Sequence, residues 1–414
     1  MAGEILSTTL LEYLKRQYAS WQVQDLLNLL HPALDFAAAE ITSGIGLGGS
    51  GFFFPVRTRG SHPYAYISEG QALPAGGQST IRQAVVAPTI FVGVIRIGGL
   101  AMAISAQDTM AFAKAFDENI EQTLRGMMSF KEGALFRDGS GLLATMVTDA
   151  DGTVVEYTVD DVAYLEENMA LDFIDASDGT RHATGVKVES IDWVNKKFTT
   201  ATPLTADVDT GDLIYISGSQ AATGAVVNKE PVGLAKSISA TGTYLGIDRA
   251  SEGNWRSSVL STTGLPSEEH FTRLRTRIHQ ETGYSLAEMG TKFGCLTHPM
   301  QIDNLFRLSI PRVRYTAGEG FEQGHDGSFT FGGQKFYTSH KAPTTKIRMG
   351  DWGKHGSCFV PGHKLHIDSQ FNGTQMKWRP DYDEAIVFAK EYGAFANLDP
   401  RCFGEIDGLS EQSR

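Results

Sequence analysis

The stretch EGQALPAGGQSTIRQAVVAPTIFVGVIRIGG, residues 69–99, is the hardest part of this chain to fold alone. Glu69-Gly70 and Pro74-Ala75-Gly76-Gly77 carry turn chemistry, and Ile90 to Ile97 is rich in β-branched residues. The pattern predicts two arms of a long hairpin, with Gln, Ser, Thr, Arg and small residues between them. Nothing in the neighbouring sequence offers an obvious face to cover it. A two-stranded ribbon is marginal alone in water. The missing partner surface is therefore expected on another copy of the chain.

The remaining length, 414 residues in all, allows two or three domains. With 41% apolar and 20% charged residues, widespread disorder is excluded. No apolar run reaches membrane-spanning length, and Met1-Ala2-Gly3-Glu4 lacks the basic start of a signal peptide. No membrane association is expected. Cys295, Cys358 and Cys402 are few, odd in number and far apart, which points to a reducing, cytosolic compartment.

Charge is unevenly distributed. Residues 147–220 hold 15 Asp and Glu against Arg181, Lys187, Lys196 and Lys197, a net of −11 out of −12 for the whole chain. A segment this acidic avoids polyanions, so beside nucleic acid it is expected to face away.

Periodicity divides the chain further. Residues 7–30 read as a helix through Leu10, Leu14, Tyr18 and Trp21, stopping at His31-Pro32. TSGIGLGGSG, 42–51, reads as a flexible joint, followed by FFFPVRTRG and HPYAYIS as ribbon strands. Ser105-Ala106-Gln107-Asp108 is a capping signal. Met110, Ala113, Phe116, Ile120, Leu124 and Met127 then keep helical spacing up to the turn Asp138-Gly139-Ser140-Gly141. From 147 to 220 the period shortens to that of strands, separated by Asp-Gly, Asn-Lys and Thr-Gly turns, and a small antiparallel barrel or sandwich fits. Beyond 221, SEEHFTRLRTRIHQETG (267–283) predicts a helix with Gly283 as its stop, HPMQIDNLFRL a second, and QKFYTSH and KIRMGDW strands.

No motif carries recognisable catalysis. GIGLGGSG contains a GxGxxG string but lacks the preceding strand and following helix of a nucleotide site, and DGSGLLA lacks the Lys-Ser/Thr of a P-loop. His355, Cys358, His363 and His366 are metal-ligand types in a spacing that matches no structural zinc module, and on strands His363 and His366 would fall on opposite faces. Asp149 and Asp151 read as a hairpin turn. Asp207, Asp209 and Asp212 form a candidate weak cation loop, with a solvated acidic loop the alternative. Arg273, Arg275 and Arg277, like Arg312 and Arg314, read as solvated faces or contacts to phosphate or a neighbour. Neither cofactor nor resident metal is expected, and the chain is not expected to be an enzyme.

The order of parts resembles the major capsid protein of tailed bacteriophages, the Hong Kong 97 fold. The resemblance is carried by residues 69–146, with the spine-helix pattern Ala111-Phe112-Ala113 and the turn Arg137-Asp138-Gly139-Ser140-Gly141, and by GTYLGIDRASEGNWRSSVL, 242–260. It implies an α+β fold: an N-terminal helical arm (1–45), an extended β-hairpin loop (46–99), a spine helix of a peripheral domain (100–146), and an inserted acidic β module (147–220). An axial domain with part of the peripheral domain (221–350) and a return to the peripheral domain with the C-terminal tail (351–414) follow. Phe116, Ile120 and Leu124 would be the packing face of the spine helix.

The resemblance also implies pentamers and hexamers tiling an icosahedral head around double-stranded DNA, assembled in the host cytoplasm and residing in the virion. Some family members weld their shells through a loop Lys. This chain has no Lys from Arg16 through Ala113, so that crosslink is expected to be absent. Arg57, Arg59, Arg82 and Glu69 are expected to make non-covalent pairs with a neighbour instead. The arm begins almost at Met1, so a separate scaffolding protein is expected, with a portal protein, non-specifically contacted DNA and a decoration protein as further partners. Two other readings stand beside this one: an encapsulin, the same fold enclosing enzymes, and a β-rich hydrolase or lectin with the acidic cluster as a calcium site.

Overall fold

In a computed structural model, the chain is described over residues 32–41, 44–49, 51–98, 109–205, 207–219, 230–284, 292–309, 330–331, 334–367, 377–378 and 383–411. The helix expected over 7–30 and the capping residues 105–108 lie outside them, as do Arg312 and Arg314. The chain divides into two compact units, Met1–Asp35 with Pro88–Pro231 and Phe359–Ala394, and Phe36–Ala87 with Val232–Cys358 and Phe395–Arg414.

One helix organises the first unit. Thr109–Phe136 runs unbroken for 28 residues, about 42 Å at 1.5 Å per residue. Leu124 and Met127 of the expected stripe are 5% and 6% exposed. The helix spans Phe116 and Ile120, whose side chains lie outside the described residues. Thr123 and Met127 lie over Gly93 of an antiparallel pair, Thr89–Gly98 against Glu384–Gly393, with Thr89 opposite Gly393 and Gly98 opposite Glu384. The missing Cβ at Gly93 leaves room for the Met127 sulfur, which would otherwise have to shift. Phe91 stacks on Phe130 at 5.9 Å, and Lys131 reaches Glu391 at 2.6 Å.

Residues 142–216 of this unit form six strands in the order Leu142–Thr145, Leu213–Ile216, Ala170–Ile174, Arg181–Asp192, Lys197–Thr200, Glu156–Thr158. All neighbours are antiparallel. The long strand Arg181–Asp192 pairs with Ala170–Ile174 through its first half and with Lys197–Thr200 through its last. A bridge between Met146 and Val159, with the Val147 amide donating to the Thr158 carbonyl at 3.0 Å, joins the two end strands. The sheet closes into a barrel, which removes its edges. Alternation sends Leu171, Phe173, Phe198 and Ile214 inward, all at 0% exposure.

The second unit is built on a mixed six-stranded sheet, Ser258–Gly264, Phe403–Leu409, Ile347–Asp351, Phe293–Thr297, Gln334–Thr338, Thr330–Phe331. Helix Glu268–Thr282 lays Phe271, Leu274 and Ile278 on it, against Cys295, Phe336, Met349 and Ile406. The helix begins where the sequence places it, with Ser267 and His270 capping each other, and stops at Gly283 with φ 72°. The strand expected in QKFYTSH forms over Gln334–Thr338, and that in KIRMGDW over Ile347–Asp351.

The ribbon departs from expectation in three ways. Its arms are Gly51–Arg59 and Thr80–Val86, from Phe52 opposite Val86 to Arg59 opposite Thr80. The strand at 89–98, expected as the closing arm, leaves the ribbon after Pro88 and pairs with 384–393, where its β-branched residues find a helix-covered sheet. HPYAYIS, expected as a strand, has none: residues 60–79 lack regular structure and pair with no strand among the described residues. The joint expected at 42–51 contains a short strand, Gly46–Gly48, paired with Gly51–Phe53. The absence of a Cβ at Gly48 makes room for the Phe53 ring.

Candidate assembly surface

The ribbon presents apolar groups to solvent. Tyr64 is 73% exposed, Leu73 81% and Ile81 58%, and Tyr66 and Ile67 are exposed as well. The tip is tied only to itself among the described residues. The Ser61 hydroxyl donates to the Gly77 carbonyl at 2.7 Å, His62 meets the Tyr64 hydroxyl, and the Gln71 amide donates to the Ser68 carbonyl across the turn that carries Glu69.

The base of the ribbon is held by residues 242–256. Thr243–Asp248 is a tight hairpin with Leu245 at φ 50° and Gly246 at φ 81°, the pair of positive angles a type I′ turn needs. A left-handed leucine costs about 1–2 kcal/mol. Here it turns the Leu245 carbonyl to accept the Val85 amide at 3.1 Å. Trp255, 1% exposed, faces Phe54 and Tyr244 and donates its indole N–H to the Tyr244 carbonyl. Arg249 is buried without a carboxylate among its described hydrogen-bond partners. Its guanidinium donates to the carbonyls of Trp255, Lys236, Thr241 and Ser237 at 2.8–3.2 Å and lies over the Tyr244 ring. Burial lowers its pKa to about 10, so it stays charged at neutral pH.

Glu252 is the acidic member of this group. Its side chain is 3% exposed and takes Arg59 Nε on one oxygen at 3.3 Å and Arg82 Nε on the other at 3.2 Å. The neighbouring Thr58 hydroxyl, with Arg82 and Arg59, holds the carboxyl below the usual range against the opposing effect of burial. Arg59 and Arg82 are thus engaged inside the subunit. Arg57 and Glu69 remain exposed, with no ion-pair partner among the described residues.

In the other unit, Arg137 and Glu230 flank the barrel. The guanidinium meets the carboxylate through two bonds, 3.0 Å and 2.6 Å, and is sandwiched between the rings of Phe130 and Tyr164. This closes the neck of the excursion.

The sequence-nominated acidic loop is divided. Asp207 and Asp209 are exposed, whereas Asp212 is 3% exposed and bonds His182 Nδ1 at 2.8 Å and the Asp209 amide at 3.2 Å. Burial alone would lower the His182 pKa, but the Asp212 bond and the nearby Asp175 and Asp207 charges outweigh it and raise it. Of the metal-ligand types near the C-terminus, His355 is buried against the Ala37 carbonyl, its pKa pressed down to about 4 by burial, and Cys358 is buried with its thiol pushed up to about 12. His363 and His366 are not set on opposite strand faces. The chain turns at 361–365, bringing their rings edge to face at 5.6 Å. Among the described residues no three His, Cys, Asp or Glu side chains are grouped to hold a metal ion.

Comparison with solved structures identifies this arrangement. The capsid asymmetric unit of cyanophage A-1(L) matches 92% of this chain and 93% of its own at a TM-score of 0.56, with 11% identity. The chain has a phage-capsid fold. The capsid of a native GTA particle follows at 0.47, with 8% identity over 91% and 90% of the two chains. The SrpI encapsulin of Synechococcus elongatus stands at 0.42, with 11% identity over 91% and 86%. No family model matches the sequence, and no curated protein does. The capsid fold therefore rests on shape and the cyanophage match. Glu252, Arg249 and Arg137 were not nominated by the sequence. Its one usable signal was that Arg249, Glu252 and Trp255 crowd a Gly- and Ser-rich, aperiodic segment.

Proposed function

We propose that the chain is the major capsid protein of a tailed phage, self-assembling into pentamers and hexamers of an icosahedral head around double-stranded DNA. The observation that carries this reading is the end-to-end match to the cyanophage A-1(L) capsid. The exposed ribbon supports it, since Tyr64, Leu73 and Ile81 need cover that a neighbouring subunit would supply. In this reading the units at 88–231 with 359–394 and at 36–87 with 232–358 and 395–414 correspond to peripheral and axial domains. A separate scaffolding protein, a portal protein and a decoration protein complete the set of partners.

The acidic barrel would project outward. Carboxylates facing a packed polyanion raise the cost of packaging within a screening length of about 8 Å, and 142–216 includes nearly all of the excess charge. Contacts between subunits would be non-covalent. Particles boiled in detergent should give a single 45.0 kDa band rather than a ladder.

The deciding experiment is electron microscopy of the purified, expressed chain. Rings or closed shells of one size are expected, and a monodisperse monomer at high concentration contradicts the reading. Enzyme cargo rather than nucleic acid inside particles from the native source would favour the encapsulin alternative.

A further inference from the structure

We propose that Glu252 is a pivot pin for the extended ribbon, one buried carboxylate holding both arms at the point where they leave their unit. Arg59 is the last residue of the outgoing arm and Arg82 lies near the start of the returning one. Each takes a different oxygen of the same carboxylate through its Nε. Other bonds gather around the pin. Arg59 Nη2 donates to the Ser251 carbonyl at 2.7 Å, and Asn254 Nδ2 donates to the Thr58 carbonyl at 2.8 Å. Glu252 is itself fixed, its amide bonded to the Asp248 carbonyl and its carbonyl accepting from the Trp255 amide.

Past this point the tip makes only its own internal bonds among the described residues. The Arg–Glu–Arg group is thus the last attachment before the ribbon becomes free. The stoichiometry matters. One anion faces two cations, so removing the anion leaves two like charges on adjacent arms and releases both together. Losing one arginine leaves the other arm pinned. A glutamine keeps the shape but carries no charge, and its NH2 replaces one of the two accepting oxygens, so neither guanidinium keeps a charged partner. The arginine side chains are 60% and 57% exposed, which lets them solvate once released. The ribbon can then change direction while its unit stays folded.

The test is amide exchange on the free, full-length subunit, so it does not depend on shell formation. In Glu252→Gln, amides of 51–59 and 80–86 should exchange at least tenfold faster, while the sheet strands 258–264 and 403–409 keep wild-type rates. Arg59→Gln with Arg82→Gln should loosen the same segments by leaving a buried, unpaired carboxylate. Adding Glu252→Gln to that pair should slow exchange again, because the unpaired charge is gone. Wild-type exchange in Glu252→Gln overturns the proposal. So does acceleration spread equally over the unit, which would make Glu252 a packing residue, and so does a triple variant looser than the double.

Discussion

The barrel at 142–216 buries Phe173, Phe198 and Ile214 among its own strands, whereas the ribbon at 51–86 ends in a tip that exposes Tyr64, Tyr66 and Leu73. Both are excursions from a folded unit, and both are tied down by an arginine–carboxylate cluster. The ties differ in kind. Arg137 and Glu230 are 4% and 10% exposed and pair one to one with two bonds. Glu252 is buried, but its two arginines are more than half exposed. Buried, paired charges at the barrel neck fix one geometry, since removing either partner strands the other. A half-exposed cluster tolerates release. The barrel buries its apolar side chains among its own strands, and the ribbon tip leaves its own exposed.

That comparison can be broken at several places. The largest effect is expected from removing residues 62–78. Microscopy should then show no shells, while calorimetry of the subunit finds an unchanged melting transition. Normal particles from this deletion would mean that the tip is dispensable. Next, Phe173→Ala should cost the free subunit about 3–5 kcal/mol in denaturant unfolding, as for a filled core site. Leu73→Ala should stay within about 0.5 kcal/mol in the same assay. Similar costs for the two would erase the distinction. Glu230→Gln, which keeps the shape of the neck but removes its charge, should cost about 1.5–3 kcal/mol.

How much of this was legible differs between the same two regions. The barrel announces itself because its strands are local: Asp-Gly and Asn-Lys turns connect runs whose alternation survives into Leu171, Phe173 and Phe198 pointing inward. The long helix 109–136 was legible from its period and the helix 268–282 from its period and cap, since both are properties of neighbours in sequence. The ribbon was misread at its closing arm. A β-branched run such as 90–97 states that it will be a strand, but not that its partner lies at 384–393. Glu252 was invisible on the same grounds, because nothing near it in sequence mentions Arg59 or Arg82. The Asp207, Asp209 and Asp212 triplet shows the converse error, in which similar residues close in sequence divide between solvent and a histidine.

The smallest effect concerns that histidine. The His182 pKa is raised above its ordinary 6.5 by Asp212, Asp175 and Asp207 against the opposing effect of burial. Its contact with Asp212 therefore stabilises the barrel fully below pH 6.5 and is lost as pH rises through the raised value. Melting should fall slightly between pH 6 and 8 in the wild type, and His182→Gln should flatten that slope. An equal slope in the variant would assign it to other groups.

Limited chymotrypsin digestion of free subunits and of assembled particles, run side by side, tests the difference between the two regions most directly. Tyr64, Tyr66 and Leu73 are open to cleavage in the subunit. On assembly these cuts should disappear, while Trp193, exposed in a barrel turn, is cut at the same rate in both states. Cleavage at Tyr64–Leu73 that proceeds equally fast in sealed shells and in free subunits would contradict the claim that the ribbon is completed by a neighbour.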